Sequence, residues 1–407
     1  MRIAYLTQSY PPMVSGAAIV AKQLAESMVA RGHQVLVIAA SESGPAYLQQ
    51  NGSLSILRLR SINNPLRVGQ RFMLPSRRAV LQALRQFQPD LIHTHEPFQL
   101  GLTGTEYARN AHVPVVFSIH QLPWFVASYL PIRLRERTES LLWNYAGWLL
   151  KRFSTLIAPT RTIADIVAAR TGLRPRTISC GLDLNAFSAS PLPPDRERIL
   201  RHKLGLPANV PVILHVGRLD TDKRVDQVIR AGAKTMSATE AHLLIVGDGR
   251  EKQRLIQLAR ELGIAGRVHF PGYITIEQGL PEVYRLARLF VTASEIETQG
   301  IVLLEAAASG LPIAAVRATC IPEIVHEGVN GFLAAPGDLD TLSRAMTDLI
   351  RDECLAQRMG NASRALAKTH NQRNTLHLHE ELYRDVLATQ TRGAANENEP
   401  VCVSRPV

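Results

Sequence analysis

The sequence predicts two α/β domains in series, each a doubly wound parallel sheet, and three observations carry that reading. At 407 residues the chain is too long for one ordinary core and suits two domains of roughly 150–200 residues each. Short apolar runs alternate with helical stretches along most of its length, the pattern of a parallel sheet. The alternation halts at the Pro- and Ser-rich stretch SASPLPPDRE, residues 188–197, and then starts again.

The first domain, residues 1–187, opens with RIAYLTQ as a short strand. YPPMVSGAA breaks it with Pro11, Pro12 and Gly16, and a helix follows with Val20, Leu24 and Met28 at four-residue spacing. QVLVIAA is the second strand. A helix near 76–87, the strand DLIHTH, another helix, the strand VPVVFSIH, a long helix near 133–152 and the strand TLIAPT complete this half. Residues 188–200 read as a linker. The second domain, 201–375, runs PVILHVGR, a helix from about 224, HLLIVGDG, a helix over 250–262, RVHFPGY, LFVTAS, a helix and LPIAAV. A helix over 376–390 is expected to pack back on the first domain, and the polar tail 391–407, TRGAANENEPVCVSRPV, to be disordered. Two Rossmann-like domains then face each other across a cleft, and ligands in such sheets bind at the carboxyl ends of strands.

Composition narrows the class. Apolar residues make up 46 %. Cys180, Cys320, Cys354 and Cys402 show neither metal-type nor disulfide-type spacing, which suits a reducing cytoplasm. The opening MRIAYLTQSYPP has no charged leader and no unbroken apolar core, so no signal peptide is expected. No uncharged apolar run reaches the ~18 residues of a membrane-spanning helix. The net charge of +11 is unevenly placed. Residues 1–190 hold 20 Lys/Arg against 9 Asp/Glu, whereas residues 191–407 hold 26 of each. A surplus confined to one half points to a partner surface, nucleic acid or anionic membrane.

The stretch FVTASEIETQGIVLLEAAASGLP, residues 290–312, carries the chemistry. Glu297 falls on a strand-to-helix loop and Glu305 about a turn inside the helix. Were all the residues between them helical, the two would differ by about 80° and would not stack; a loop lets both reach one ligand at different points. Backbone N–H groups near Thr298, Gln299, Gly300 and Ile301 lie between them, at a helix start suited to phosphate. A nucleotide sugar fits this order: one acid on sugar hydroxyls, amides on the diphosphate, the other acid on ribose hydroxyls. A helix that happens to carry two acids is the plain alternative. Arg218 follows a strand and Lys223 stands at the next helix entrance, where cations can hold phosphate oxygens and stabilise a diphosphate leaving group. Asp220 and Asp222 between them read as helix caps rather than a metal site. The Gly-rich VGDG fits either a nucleotide loop or a tight turn.

Taken in order, YPPMVSGAA, IHTHEPFQLG, VVFSIHQLPWFVASYLP, SCGLDLNAF, VGRLDTDK, VGDG, SEIETQGIVLLEAAASGLP and EIVHEGVNGFLAAPGD resemble the retaining glycosyltransferases of family four, which have the GT-B fold. The resemblance spans roughly residues 1–385 and is nearest to the diacylglycerol glucosyltransferases and phosphatidylinositol mannosyltransferases. It implies a nucleotide-sugar donor, with UDP-glucose, UDP-galactose or GDP-mannose as candidates, and no cofactor or catalytic metal. It places Glu297 on the transferred sugar, Glu305 on the ribose, Arg218 and Lys223 on the diphosphate, His120 near the donor sugar and Gly16 where the N-terminal loop approaches the phosphates. Ser15-Gly16 stands where many relatives have two glycines. His93 and His95 read as satisfied core histidines.

The acceptor side is expected on the basic half. From Ser43 to Gln88 there is no acidic residue but seven arginines. On the helix PSRRAVLQALRQF, Arg77, Arg78, Leu81 and Arg85 fall within about a 100° sector, as suits an anionic bilayer surface. All three tryptophans lie between 124 and 148, and Trp124, Trp143 and Leu150 are expected at an interface, with Lys151 and Arg152 at the helix end. A solvated basic face and a buried apolar helix explain the same residues. These readings lead to hexose transfer to a diacylglycerol-type lipid at the cytoplasmic face of the membrane, with the enzyme bound peripherally. Two rivals stand beside it: a soluble relative acting on a small sugar or sugar phosphate, and a basic nucleic-acid-binding protein. Against the second, no nucleic-acid module is recognisable and the aromatics cluster with leucine instead of alternating with arginine.

Overall fold

In the computed structural model, which describes residues 1–13, 15–64, 70–124, 132–187 and 190–397, the chain builds two parallel sheets. The first domain contributes β1 (Arg2–Leu6), β2 (Gln34–Ala40), β3 (Tyr47–Asn51), β4 (Leu54–Leu59), a small hairpin of β5 (Ser61–Asn63) and β6 (Arg71–Met73), and then β7 (Leu91–Thr94), β8 (Val115–Ser118), β9 (Thr155–Ala158) and β10 (Arg176–Thr177). Its main sheet runs β10-β9-β8-β7-β1-β2-β4-β3, parallel except for the β3–β4 pair. The second domain contributes β11 (Val212–Val216), β12 (His242–Val246), β13 (Val268–Gly272), β14 (Leu289–Thr292), β15 (Ile313–Val316) and β16 (Gly331–Ala334), ordered β13-β12-β11-β14-β15-β16 and parallel throughout.

Both sheets reverse their winding at a defined place. β1 lies between β7 and β2, and β11 between β12 and β14. Loops leaving the carboxyl ends of strands on either side of such a reversal diverge, and the crevice between them is where ligands bind in open α/β sheets. In the second domain those loops are the ones that carry Arg218, Lys223 and Glu297.

The central strands are apolar on both faces because helices cover both sides. The second domain has one continuous core, and the first has two, one on each side of its sheet. The helix Gly16–Ala30 buries Val20, Leu24 and Met28 as the four-residue spacing requires, and Ser15 caps its start by accepting from the Ala18 N–H. Serine in place of glycine at that position thus supplies the cap.

Three boundaries differ from the sequence reading. Residues 188–200 are not a simple linker: Pro194–Lys203 is a helix with proline in its first turn, acids at its start and bases at its end, the arrangement the helix dipole favours. Leu182 and Phe187 already belong to the second core. The last helix runs Gln372–Glu397, past the predicted onset of disorder at 391, and residues 398–407 lie outside the described part. Its Leu376, Leu382, Tyr383 and Val386 pack into the first domain's core, so this helix returns to the first domain. Among the described residues, no helix is long and apolar enough to cross a membrane.

Candidate active site

The Glu297 loop leaves β14, turns at Gly300 and enters the helix Ile301–Ala308. Gly300 has φ +73°, a left-handed conformation that favours glycine, and a Cβ there would push on Leu303 Cδ1 at 2.7 Å. No side chain caps the helix that follows, which leaves its first N–H groups directed at the cleft. Glu297 receives the Lys223 ammonium at 2.5 Å, with both side chains largely shielded from solvent. Lys223 also lies 3.5 Å from Ser294 Oγ and from the Ile296 carbonyl. The sequence placed Glu297 on the sugar of a ligand and Lys223 on its diphosphate; the fold makes them an ion pair.

Arg218 is gripped by two carboxylates, Asp220 and, at 2.8 Å, Asp222. This corrects the reading of Asp220 and Asp222 as helix caps. Asp220 flanks the short turn Thr221–Lys223 without capping it, because the Arg218 guanidinium two residues away offers it a charged partner. Among the described residues, no group of three or more His, Cys, Asp or Glu could hold a metal ion. The VGDG glycines are closely packed: a Cβ on Gly247 would fall 1.8 Å from the Gly217 carbonyl oxygen, and one on Gly249 2.4 Å from that of Leu219. Glycine lets this loop lie against the one that carries Arg218.

Glu305 lies on the adjoining helix, 6 % exposed, with the Tyr284 hydroxyl donating to it at 2.7 Å. Burial pushes its carboxyl up to about 7, partly offset by that hydrogen bond. Behind the Lys223–Glu297 pair sits His215, which the sequence did not single out. Its Nδ1 bonds the Val291 carbonyl at 2.9 Å, and burial lowers its pKa to about 4.

The loop also spans the cleft. The Thr298 hydroxyl donates to the His120 carbonyl at 3.2 Å, and the Thr298 carbonyl accepts from Thr160 at 3.0 Å. Gln299 is buried, donating to Ser179 at 2.5 Å and accepting from the Cys180 N–H at 2.7 Å. A Cβ on Gly16 would lie 3.4 Å from Ile301 Cδ1. Glu323, inside the quoted EIVHEGVNGF motif, accepts from the Arg161 and Thr162 N–H groups at the start of the helix Arg161–Thr171. Thr160, Ser179 and Glu323 were invisible as site residues in the sequence, since pairing across domains leaves no local pattern.

His120 ends a stacked column of histidines. Its Nε2 lies 2.7 Å from His95 Nδ1, with ring centroids 5.0 Å apart; His95 stacks on His93 at 4.4 Å and His93 on His379 at 6.0 Å. Burial, with the neighbouring His379, lowers the His120 pKa to about 4, so it is neutral near pH 7. His93 is satisfied at both nitrogens, by Ser118 and Tyr383. His95 departs from the satisfied-core reading, because its Nε2 is buried without a partner. A buried lone pair costs less to leave unmatched than a buried N–H. A proton on His95 Nδ1 would meet this condition, donating to His120 Nε2 and leaving the His120 proton on Nδ1.

On the opposite side of the first domain, the predicted interfacial residues separate. Arg78 and Arg85 are exposed, while Arg77 pairs with Glu106, its Nε at 2.8 Å. Leu81 is 7 % exposed, Trp143 6 % and Leu150 5 %, all three in the core beneath, so none of them is the exposed apolar contact that was expected. Trp124 is half-buried and meets Trp143 edge-on. The residues that do emerge from the helix Ile132–Leu150 are Leu134, Leu141 and Trp148, at 51, 69 and 48 % exposure. Seven-residue spacing keeps them on one stripe, drifting only ~20° per step. Arg152 lies over the Trp148 ring at 3.6 Å, and Arg133, Arg135, Arg137 and Lys151 are exposed around it.

Comparison with known proteins gives a consistent result. Residues 14–186 match the family description Glycosyltransferase Family 4, and residues 196–366 match Glycosyl transferases group 1. The chain is 27 % identical over 335 residues to the alpha-monoglucosyldiacylglycerol synthase of Streptococcus pneumoniae, covering 82 % of this chain and 75 % of that one. It is 30 % identical over 306 residues to the D-inositol 3-phosphate glycosyltransferase of Nocardiopsis dassonvillei, covering 71 % and 70 %. The solved sucrose-phosphate synthase of Thermosynechococcus elongatus superimposes with a TM-score of 0.81 at 23 % identity, over 95 % of this chain and 99 % of that one. With both halves matched in order and both sheets arranged as found, the chain belongs to the family-four glycosyltransferases of the GT-B fold.

Proposed function

We propose that the enzyme moves a hexose from a nucleotide-diphosphate sugar to the hydroxyl of a diacylglycerol-type lipid at an anionic membrane surface, with retention at the anomeric carbon. The stripe Leu134, Leu141, Trp148 on a basic domain carries the lipid half of this reading. Large apolar side chains displayed in one line and ringed by arginine and lysine match a bilayer interface, where attraction is about 1 kcal/mol per basic residue near anionic headgroups. The synthase named above supports it, since its product name contains a diacylglycerol. The inositol-phosphate relative supports the second reading, a soluble enzyme with a small anionic acceptor.

On the donor side, Lys223 and Glu297 are each other's counter-ions at the carboxyl end of the second sheet. A nucleotide sugar entering there trades one ion pair for two contacts, phosphate oxygens on Lys223 and sugar hydroxyls on Glu297. Arg218, oriented by its two aspartates, and the uncapped N–H groups around Gly300 and Ile301 face the same diphosphate, where charge grows as the anomeric bond breaks. Glu305, with Oε2 held by Tyr284, takes the ribose hydroxyls. His120 donates from Nδ1 to a donor-sugar oxygen. The acceptor hydroxyl attacks from the face the diphosphate leaves and passes its proton to the departing phosphate oxygen, and the Thr298 and Gln299 bridges hold the lobes together over the reacting atoms so that water is excluded.

The test is a donor screen with purified protein and anionic vesicles containing diacylglycerol, read by mass spectrometry of the lipid. A glycosylated lipid from one nucleotide sugar is expected. Transfer only to soluble sugars or sugar phosphates would favour the second reading.

A further inference from the structure

The first domain has a partly open cavity of about 460 Å³ between the end of β8 and the helices Ile132–Leu150 and Arg161–Thr171. That is within the ~300–1,000 Å³ of ligand sites, whereas close-packed interiors leave few spaces larger than a water molecule. Its lining is graded. Gln8, Ser15 and His120 are the partly exposed polar lining; Phe117, Leu122, Trp143, Leu149 and Val167 are buried, as are two polar neighbours, His95 and Glu96. The apolar part belongs to the buried core on that side of the sheet and offers water almost nothing to bond, and a polar, roomy site is what buried water needs.

The cavity and the exposed stripe share one helix. Leu142, Trp143, Ala146 and Leu149 face in, and Leu134, Leu141 and Trp148 face out. Tyr145 joins the two: it lines the cavity, stacks on exposed Phe98 with centroids 6.1 Å apart, and meets Trp148 at 5.7 Å. A line of aromatic rings thus runs from the outer face to the cavity rim. We infer that the cavity receives one hydrocarbon chain of the acceptor, lifted out of the bilayer along this aromatic line, so that the acceptor hydroxyl stops beside His120. The polar-to-apolar grading is that of an amphiphile with its hydroxyl at the cleft, and the volume suits a single chain. The inference rests on the lipid reading above but concerns a site that can be probed without a membrane.

The probe is a dodecanol brominated at its far end, titrated into the full chain in solution without vesicles or donor. Bromine quenches tryptophan on contact, and Trp143 lines the apolar part. Saturable quenching is expected, with Trp143→Phe removing its larger part. In competition, unbrominated 1-alkanols from hexanol to hexadecanol should bind more tightly with length and then level off when the cavity is full. Ala146→Phe should weaken the probe about tenfold, as overfilling a packed apolar site does, and Leu142→Trp guards against a fold effect, each variant being checked by its thermal unfolding midpoint. No saturable quenching, or wild-type affinity in both filled variants, would overturn the inference. Flotation of the unmodified protein on anionic vesicles tests the membrane reading separately, so either can fail while the other stands.

Discussion

The two domains solve the surface problem in opposite ways. Around the second domain's cleft nearly every charge has a partner: Arg218 has two aspartates, Lys223 has Glu297, and Arg224 lies 3.3 Å from Glu295. The first domain instead turns basic side chains and bare leucine and tryptophan outward, and keeps an apolar space inside. Paired charge at a cleft suits a ligand that brings its own charges and exchanges partners on arrival. Bare apolar surface ringed with cations suits a partner that is itself apolar and anionic-edged. The difference supports the proposal that donor and acceptor bind to separate lobes.

That division can be broken from either side. Substituting Glu297 strikes the donor lobe, so Glu297→Ala should lower turnover about a thousandfold, roughly 4 kcal/mol of transition-state stabilisation, for lipid transfer and for hydrolysis of the donor alike. Unchanged unfolding with lost turnover confirms the assignment; near-normal turnover removes it. Because Lys223 is its partner, the Lys223→Met and Glu297→Ala double variant should lose much less than the product of the two single losses.

A smaller effect is expected where the lobes meet. His95→Phe removes the donor that holds Nε2 of His120 and frees that ring to change tautomer. A drop of about tenfold in kcat, with the KM for the nucleotide sugar nearly unchanged, would mark a positioning role of general acid–base magnitude or less. Nitrogen-15 correlation spectra should show the His120 proton on Nδ1 in the unmodified protein and a mixture in the variant. A spectrum already mixed before substitution would refute the tautomer assignment.

A further effect concerns stability rather than turnover. Glu305 has a carboxyl pKa raised to about 7 in the folded chain against an ordinary value of 4.5. A raised acid favours the folded state while protonated, and that advantage is complete below the unfolded value and lost as pH climbs through the folded one. Glu305→Gln cannot ionise. Its stability relative to the unmodified protein should therefore rise between about pH 4.5 and 7 and level off above, by up to about 3 kcal/mol. Denaturant unfolding at pH 4 and pH 8 measures this, and a pH-independent difference would contradict it.

Much of this molecule could be read before folding. Alternating apolar runs located both sheets, and Glu297, Lys223, Arg218 and Glu305 fell on the loops and helix expected of them. What stayed hidden follows from contact between distant segments. Nothing near Lys223 in sequence announces Glu297 as its partner, because the ion pair joins loops from two strands. Arg218 took Asp220 and Asp222 as partners where local spacing suggested caps. The interfacial reading failed at Leu81, Trp143 and Leu150 because helical periodicity gives the angle between side chains but not which sector meets the sheet. The same helix held the exposed stripe a few residues away, and burial chose between the two.

The measurement that bears most directly on the two-lobe division is a paired assay of one variant, Leu134, Leu141 and Trp148 all changed to serine. Transfer to lipid in anionic vesicles should fall about a hundredfold with vesicle flotation, from the lost insertion of three apolar side chains, while hydrolysis of the nucleotide sugar in solution keeps its rate. Equal losses in both assays, or undiminished transfer to vesicle lipid, would contradict the account.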